Sequence, residues 1–106
     1  MALTLIKIPP SVKRGEVFQV FATIGHPMET GFRPGADGKT LPRNIITRLQ
    51  CRYNNALVFD AEMFPATAAN PYVLFHLIGT ESGSLRFSWE GDNGFAHHQD
   101  VALQVG

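Results

Sequence analysis

A chain of 106 residues with 44% hydrophobic side chains is long enough to bury one core without disulfide or metal staples, and nothing in its composition suggests disorder. Nine basic and nine acidic residues cancel, which excludes a general electrostatic grip on nucleic acid or an anionic membrane, and no apolar run approaches a membrane span. Charged residues make up only 17% of the chain, below the usual quarter or so, a first hint of a surface that a partner covers. One domain spanning residues 1–106 is expected. The segment Met1 to Ile8 is too short and too interrupted for a signal h-region, so no export signal is expected in the chain itself.

Apolar residues recur with period two along most of the sequence, the spacing of half-buried strands. Leu3 to Ile8 is the first run, closed by Pro9-Pro10. From Glu16 to His26, Phe18, Val20, Ala22 and Ile24 share one face, with Gln19 and Thr23 on the other. Between His26 and Arg43 the periodicity disappears, and Gly31, Pro34, Gly35 and Gly38 mark a long irregular connection. Connections of this length inside a small domain are usually functional. Asn44 to Tyr53 alternates again, with Ile45, Thr47, Leu49, Cys51 and Tyr53 on one face and Ile46, Arg48, Gln50 and Arg52 on the other. Asn54-Asn55 reads as a two-residue hairpin turn, and Leu57 to Met63 as the returning strand. Tyr72 to Ile78, Ser84 to Glu90 and Phe95 to Val105 follow, separated by Glu81-Ser82-Gly83 and Gly91-Asp92-Asn93-Gly94 turns. About seven short strands with turn residues between them predict an all-β, immunoglobulin-like antiparallel β-sandwich, with Trp89 in its core.

The candidate chemistry is thin. The one cysteine, Cys51, allows no intramolecular disulfide and says nothing about compartment. It shares a strand face with Ile45, Leu49 and Tyr53, a setting that disfavours the thiolate a sulfur carrier or nucleophile needs. Four histidines with one cysteine invite comparison with blue-copper and superoxide-reductase sites, but Cys51 lies mid-chain with no histidine nearer than His76. His97 and His98 are adjacent on a strand and point to opposite faces, and His76 reads as a partly buried strand residue between Leu74 and Ile78. No metal site, cofactor or catalytic residue is expected. Arg48, Gln50 and Arg52, with Arg43 just before them, form either a solvated sheet face or a surface for a partner's carboxylates or an anion. The segment His26-Pro27-Met28-Glu29-Thr30-Gly31 is open to two readings as well. It closes a turn at a strand end, or its rigid proline beside an exposed methionine forms a contact surface for another protein.

Several blocks in order, however, carry a resemblance: Lys13-Arg14-Gly15-Glu16, His26 to Gly31, Asp37-Gly38-Lys39, Pro42-Arg43-Asn44-Ile45-Ile46, Ala69-Asn70-Pro71-Tyr72 and Glu81-Ser82-Gly83. Together they resemble the SoxZ family, the non-catalytic half of the SoxYZ sulfur carrier in bacterial thiosulfate oxidation. The resemblance implies an immunoglobulin-like subunit that is not an enzyme and forms a heterodimer with SoxY, whose flexible C-terminal arm holds the cysteine that carries sulfur intermediates. It also implies transient contact with the other Sox enzymes, and a periplasmic location reached by export with the signal-bearing partner. The chain's own end, Leu103-Gln104-Val105-Gly106, has no glycine-flanked cysteine. On this reading His26, Pro27, Met28, Glu29, Thr30, Arg43, Asn44, Arg48 and Arg52 are the candidates for binding the partner or presenting its arm. Self-association of the isolated subunit and a generic immunoglobulin-like interaction module unrelated to sulfur oxidation stay open as alternatives.

Overall fold

The computed structural model describes residues 3–64 and 69–106. Seven strands form in chain order: β1 (Thr4–Lys7), β2 (Val17–Ile24), β3 (Ile46–Tyr53), β4 (Ala56–Glu62), β5 (Tyr72–Ile78), β6 (Gly83–Gly91) and β7 (Ala96–Leu103), with a short 3-10 turn at Asp92–Gly94 before the last. They make two antiparallel sheets, β1-β2-β5 and β4-β3-β6-β7. This is the immunoglobulin-like sandwich that the alternation predicts. Each predicted strand forms, mostly one or two residues shorter at an end, where the chain turns away before its apolar pattern stops.

The core lies between the sheets. β2 sends Phe18, Val20, Ala22 and Ile24 inward, β3 sends Leu49, Cys51 and Tyr53, and β6 sends Leu85, Phe87 and Trp89, all buried. Trp89 is 1% exposed and Cys51 fully covered. On one side the sandwich is closed by Phe59 of β4 stacked on Phe75 of β5, ring centroids 4.0 Å apart. On the other, the chain leaves β1, crosses between the sheets, and Val12 bridges Val105 in parallel, its N–H donating to the Gln104 carbonyl at 2.9 Å. Asn54 and Asn55 both adopt positive φ, 47° and 72°, the pair of left-handed residues that a two-residue hairpin between β3 and β4 requires.

Two departures from simple alternation bear on which residues the core takes. β3 carries a bulge between Ile46 and Arg48, where Thr47 is the extra residue against Gly91 and Glu90 of β6. The bulge turns Ile46 inward beside Ile45, so both isoleucines are buried. On β5, His76 is not partly buried as expected. It is exposed, together with Tyr72, Leu74 and Ile78, while Phe75 is buried and Val73 and Leu77 pack half-buried on the core. The run Tyr-Val-Leu-Phe-His-Leu-Ile is apolar on both faces, so period two alone does not say which face the core takes.

Candidate partner-binding site at one end of the sandwich

The connection from His26 to Arg43 is not irregular in its backbone. Glu29 and Asn44 exchange two hydrogen bonds of 2.8 Å each, which gathers the two ends of the excursion. Farther out, the Leu41 N–H donates to the Arg33 carbonyl at 2.8 Å and the Gly35 N–H to the Lys39 carbonyl at 2.6 Å, so the segment is a narrow hairpin-like projection. Gly31, at φ +88°, passes so close to Arg43 that an added Cβ would stand 3.1 Å from that side chain's own Cβ. Backbone conformation and space both call for glycine there.

His26 is the pivot at the base. Its N–H donates to Asn70 Oδ1 at 2.9 Å and its carbonyl accepts from the Asn70 N–H at 2.7 Å. Asn70 holds a left-handed φ of 50° to do so. The imidazole, 6% exposed, packs edge-on against Phe95, and its Nδ1 accepts the Met28 N–H at 3.0 Å. Because Nδ1 is the acceptor, the neutral ring carries its proton on Nε2. Burial pushes the His26 pKa below its ordinary value, partly opposed by the nearby Asp92 carboxylate.

Met28 departs from expectation. Its φ of 52° folds the side chain inward, it is only 4% exposed, and its sulfur accepts the Ile46 N–H at 3.2 Å. It is a core plug under the projection rather than an exposed contact, and Pro27 beside it stays exposed. Glu29 is gripped by Arg33, whose Nη2 lies 2.6 Å from Oε1; this hydrogen bond holds the Glu29 carboxyl below its ordinary pKa. The Thr30 hydroxyl accepts the Phe32 N–H at 3.2 Å and shapes the turn.

Arg43 forks onto Asp92, Nε to Oδ2 at 2.8 Å and Nη2 to Oδ1 at 2.9 Å, and the same carboxylate accepts the Ile45 N–H at 3.1 Å. The Arg43 hydrogen bond, followed by that from Ile45, keeps Asp92 below the usual carboxylate range. Asp92 ties the β6–β7 turn to the start of β3, 49 residues away in sequence. Sequence reasoning gave it no role. The only local signal was its place in the Gly-Asp-Asn-Gly turn.

The structure thus gathers His26, Pro27, Met28, Glu29, Thr30, Arg43 and Asn44 at one end of the sandwich. Arg48 and Arg52 stand elsewhere, on the outer face of the four-stranded sheet. Arg48 reaches Asp60 at 3.3 Å and Glu62 at 3.1 Å, both on β4. Arg52 sits directly opposite Arg86, which is itself forked onto Asp100. At the end of the sandwich Glu29 is paired with Arg33 and Asp92 with Arg43, contacts that fix the shape of the projection. His97 lies half-buried against Trp89, ring centroids 6.1 Å apart, while His98 on the same strand is exposed. Among the described residues no three His, Cys, Asp or Glu side chains are grouped as metal ligands would be. No helix among them is long and apolar enough to cross a membrane. Cys51 is sealed in the core, and burial pushes its thiol up to about 12.

Comparison with known proteins bears on this arrangement in two ways. The fold is similar to that of a superoxide reductase (neelaredoxin) from Ignicoccus hospitalis, at 22% identity and a TM-score of 0.75, covering 97% of this chain and 80% of that one. It is also similar to a hypothetical protein from Pyrococcus horikoshii, at 14% identity and a TM-score of 0.62 over 96% and 86% of the two chains. The CARDB domain of a Pyrococcus furiosus protein follows, at 13% identity and a TM-score of 0.52 over 100% and 94%. At such identities the likeness is one of fold alone. No curated protein matches the sequence. The family model described as Sulphur oxidation protein SoxZ, however, matches residues 6–102, a span that contains the projection, its His26 and Asn70 base, and the Arg43–Asp92 clasp. The chain belongs to the SoxZ family of the Sox sulfur-oxidation system.

Proposed function

We propose that this SoxZ-family chain is a non-catalytic scaffold that binds SoxY and helps present its cysteine-bearing arm to the other Sox enzymes, with which it makes transient contact during thiosulfate oxidation in the periplasm. The observation that carries this reading is the state of Cys51. A carrier thiol must ionise near neutral pH and reach several active sites; this one is fully covered on the inner side of β3, with its pKa pushed up to about 12. Any sulfur intermediate must therefore ride on another chain. The projection from His26 to Arg43 is held by the Glu29–Asn44 pair and the Arg43–Asp92 clasp, and it offers a shaped surface along which a partner's flexible arm can run.

Co-expression with SoxY followed by mass spectrometry after thiosulfate turnover tests this. The expected result is a one-to-one complex located in the periplasmic fraction, with sulfur adducts on the partner cysteine and Cys51 unmodified until the protein is unfolded. Adducts on Cys51, or the lack of a complex, would overturn the reading. Substituting His26, Met28, Glu29 and Arg43 in the same complex separates presentation from shape. If turnover survives all four changes, the projection has no presenting role.

A further inference from the structure

The outer face of the three-stranded sheet is unlike the rest of the surface. Strand alternation sends Leu5, Val17, Tyr72, Leu74 and Ile78 outward, and they are 49%, 59%, 67%, 52% and 55% exposed. Register brings them together: Val17 lies opposite Ile78, and Phe21 opposite Leu74. At the centre is a hollow of about 390 Å³ lined by Lys7, Ile8, Pro9, Gln19, Phe21 and Leu74. The Lys7 ammonium lies over the Phe21 ring, 5.7 Å from its centroid, at the rim of this hollow. None of the outward positions on β1, β2 and β5 is Asp or Glu. A sheet face that stays in water normally alternates to polar residues, and clustered exposed apolar side chains with a polar rim mark an interaction surface.

We propose that this face is the docking surface for the carrier subunit. The contact requires a protein surface that places an apolar or aromatic side chain in the Lys7–Phe21–Leu74 hollow and a carboxylate on Lys7. This rests on the two-chain reading above and adds which sheet makes the contact. Charge decides between occupants. A second copy of this chain meeting the face with its own equivalent face brings no acid to Lys7, and leaves two ammonium groups at the rim of a drying contact. Size points the same way. Strands of four, eight and seven residues about 4.8 Å apart form a plate of at most roughly 14 by 24 Å, the core of a standard interface rather than the whole of one. A partner that extends past the sheet edge completes such an interface, whereas two identical plates face to face do not.

The test is affinity between purified SoxY and this chain, wild type and variants. Leu74→Asp is expected to weaken the complex by at least ~100-fold and Lys7→Glu by about 10-fold, while Arg86→Gln on the opposite sheet, at an exposed pair with Asp100, stays within about two-fold. Circular dichroism confirms that each variant is folded. Side-chain footprinting of the wild-type complex supplies a measurement free of mutation, with protection expected at Tyr72 and Leu74. If wild type binds, but both variants bind equally well and Tyr72 and Leu74 stay labelled, the docking face is wrong and the two-chain reading stands. If wild type does not bind at all, both fall. If Leu74→Asp abolishes only self-association, the occupant is a second copy and the proposal is overturned.

Discussion

The two outer faces of this sandwich solve the same problem in opposite ways. On the four-stranded sheet, long charged side chains are paired across strands: Arg48 with Asp60 and Glu62, Arg86 with Asp100. Such a lattice keeps its charges hydrated and leaves an adjoining protein little apolar surface to cover. On the three-stranded sheet, Leu5, Val17, Phe21, Tyr72, Leu74 and Ile78 face outward, with Lys7, Gln19, Thr23 and His76 among them and no acid. Nothing in the stability of the isolated chain needs those side chains to be apolar, because water already reaches half of each. The low overall charge of the sequence is therefore not spread evenly; it is concentrated as the absence of acid from one face.

The widest test of this contrast uses two neighbours on β5. Phe75 faces inward, 8% exposed and stacked on Phe59, and Leu74 faces outward. In denaturant unfolding of the isolated chain, Phe75→Ala is expected to cost about 3–5 kcal/mol and Leu74→Ala less than about 0.5 kcal/mol. Comparable costs would mean that Leu74 is covered within the monomer, and the contrast between faces would collapse.

A smaller effect lies at neither face but at the end of the sandwich. Losing the Nδ1 acceptor for the Met28 N–H in His26→Ala is expected to destabilise by about 1–3 kcal/mol, since the donor is left buried. Acid should act at the same place. The folded-state pKa of His26 is depressed, so its contribution is complete above about pH 6.5 and is lost as pH falls through the folded value. Unfolding midpoints should drop between pH 7 and 5 in wild type, and drop less in His26→Ala. Equal slopes for the two proteins would remove His26 from the account.

The smallest effect belongs to the charged face. Arg48→Gln is expected to cost under about 1 kcal/mol, and the difference from wild type should shrink further in high salt. A larger, salt-independent loss would show that the lattice is structural rather than a solvated surface.

Much of the fold was legible because strands with one solvated face announce themselves. β2 and β6 alternate cleanly, and the Asn54-Asn55 turn needs positive φ that few other pairs supply. Legibility failed where alternation carried no sign. β5 is apolar on both faces, so its sequence does not say that His76 stands in water, nor that Leu74 and Ile78 stay outside the core. The signal was present in that very run: a strand apolar on both sides in a two-layer fold has one side that the core cannot cover. At the end of the sandwich, the grouping of His26 with Arg43 followed from adjacency within one long connection. Met28 could not be placed, because whether it points in or out depends on one backbone angle. Asp92 could not be placed because its partner is distant in sequence and no period connects them.

The bulge in β3 bears on how this family can change length. Downstream of it Leu49, Cys51 and Tyr53 face the core, and upstream of it Ile46 does so too, with Thr47 as the surplus residue between the two phases. Removing one residue at Thr47 restores strict alternation with Ile46 still inward and Arg48 still outward. Removing Leu49 instead, with the chain upstream held in place, turns Gln50 and Arg52 into the core. Thr47 is thus the point on β3 where a deletion can be absorbed without exchanging the inside of the protein for its outside.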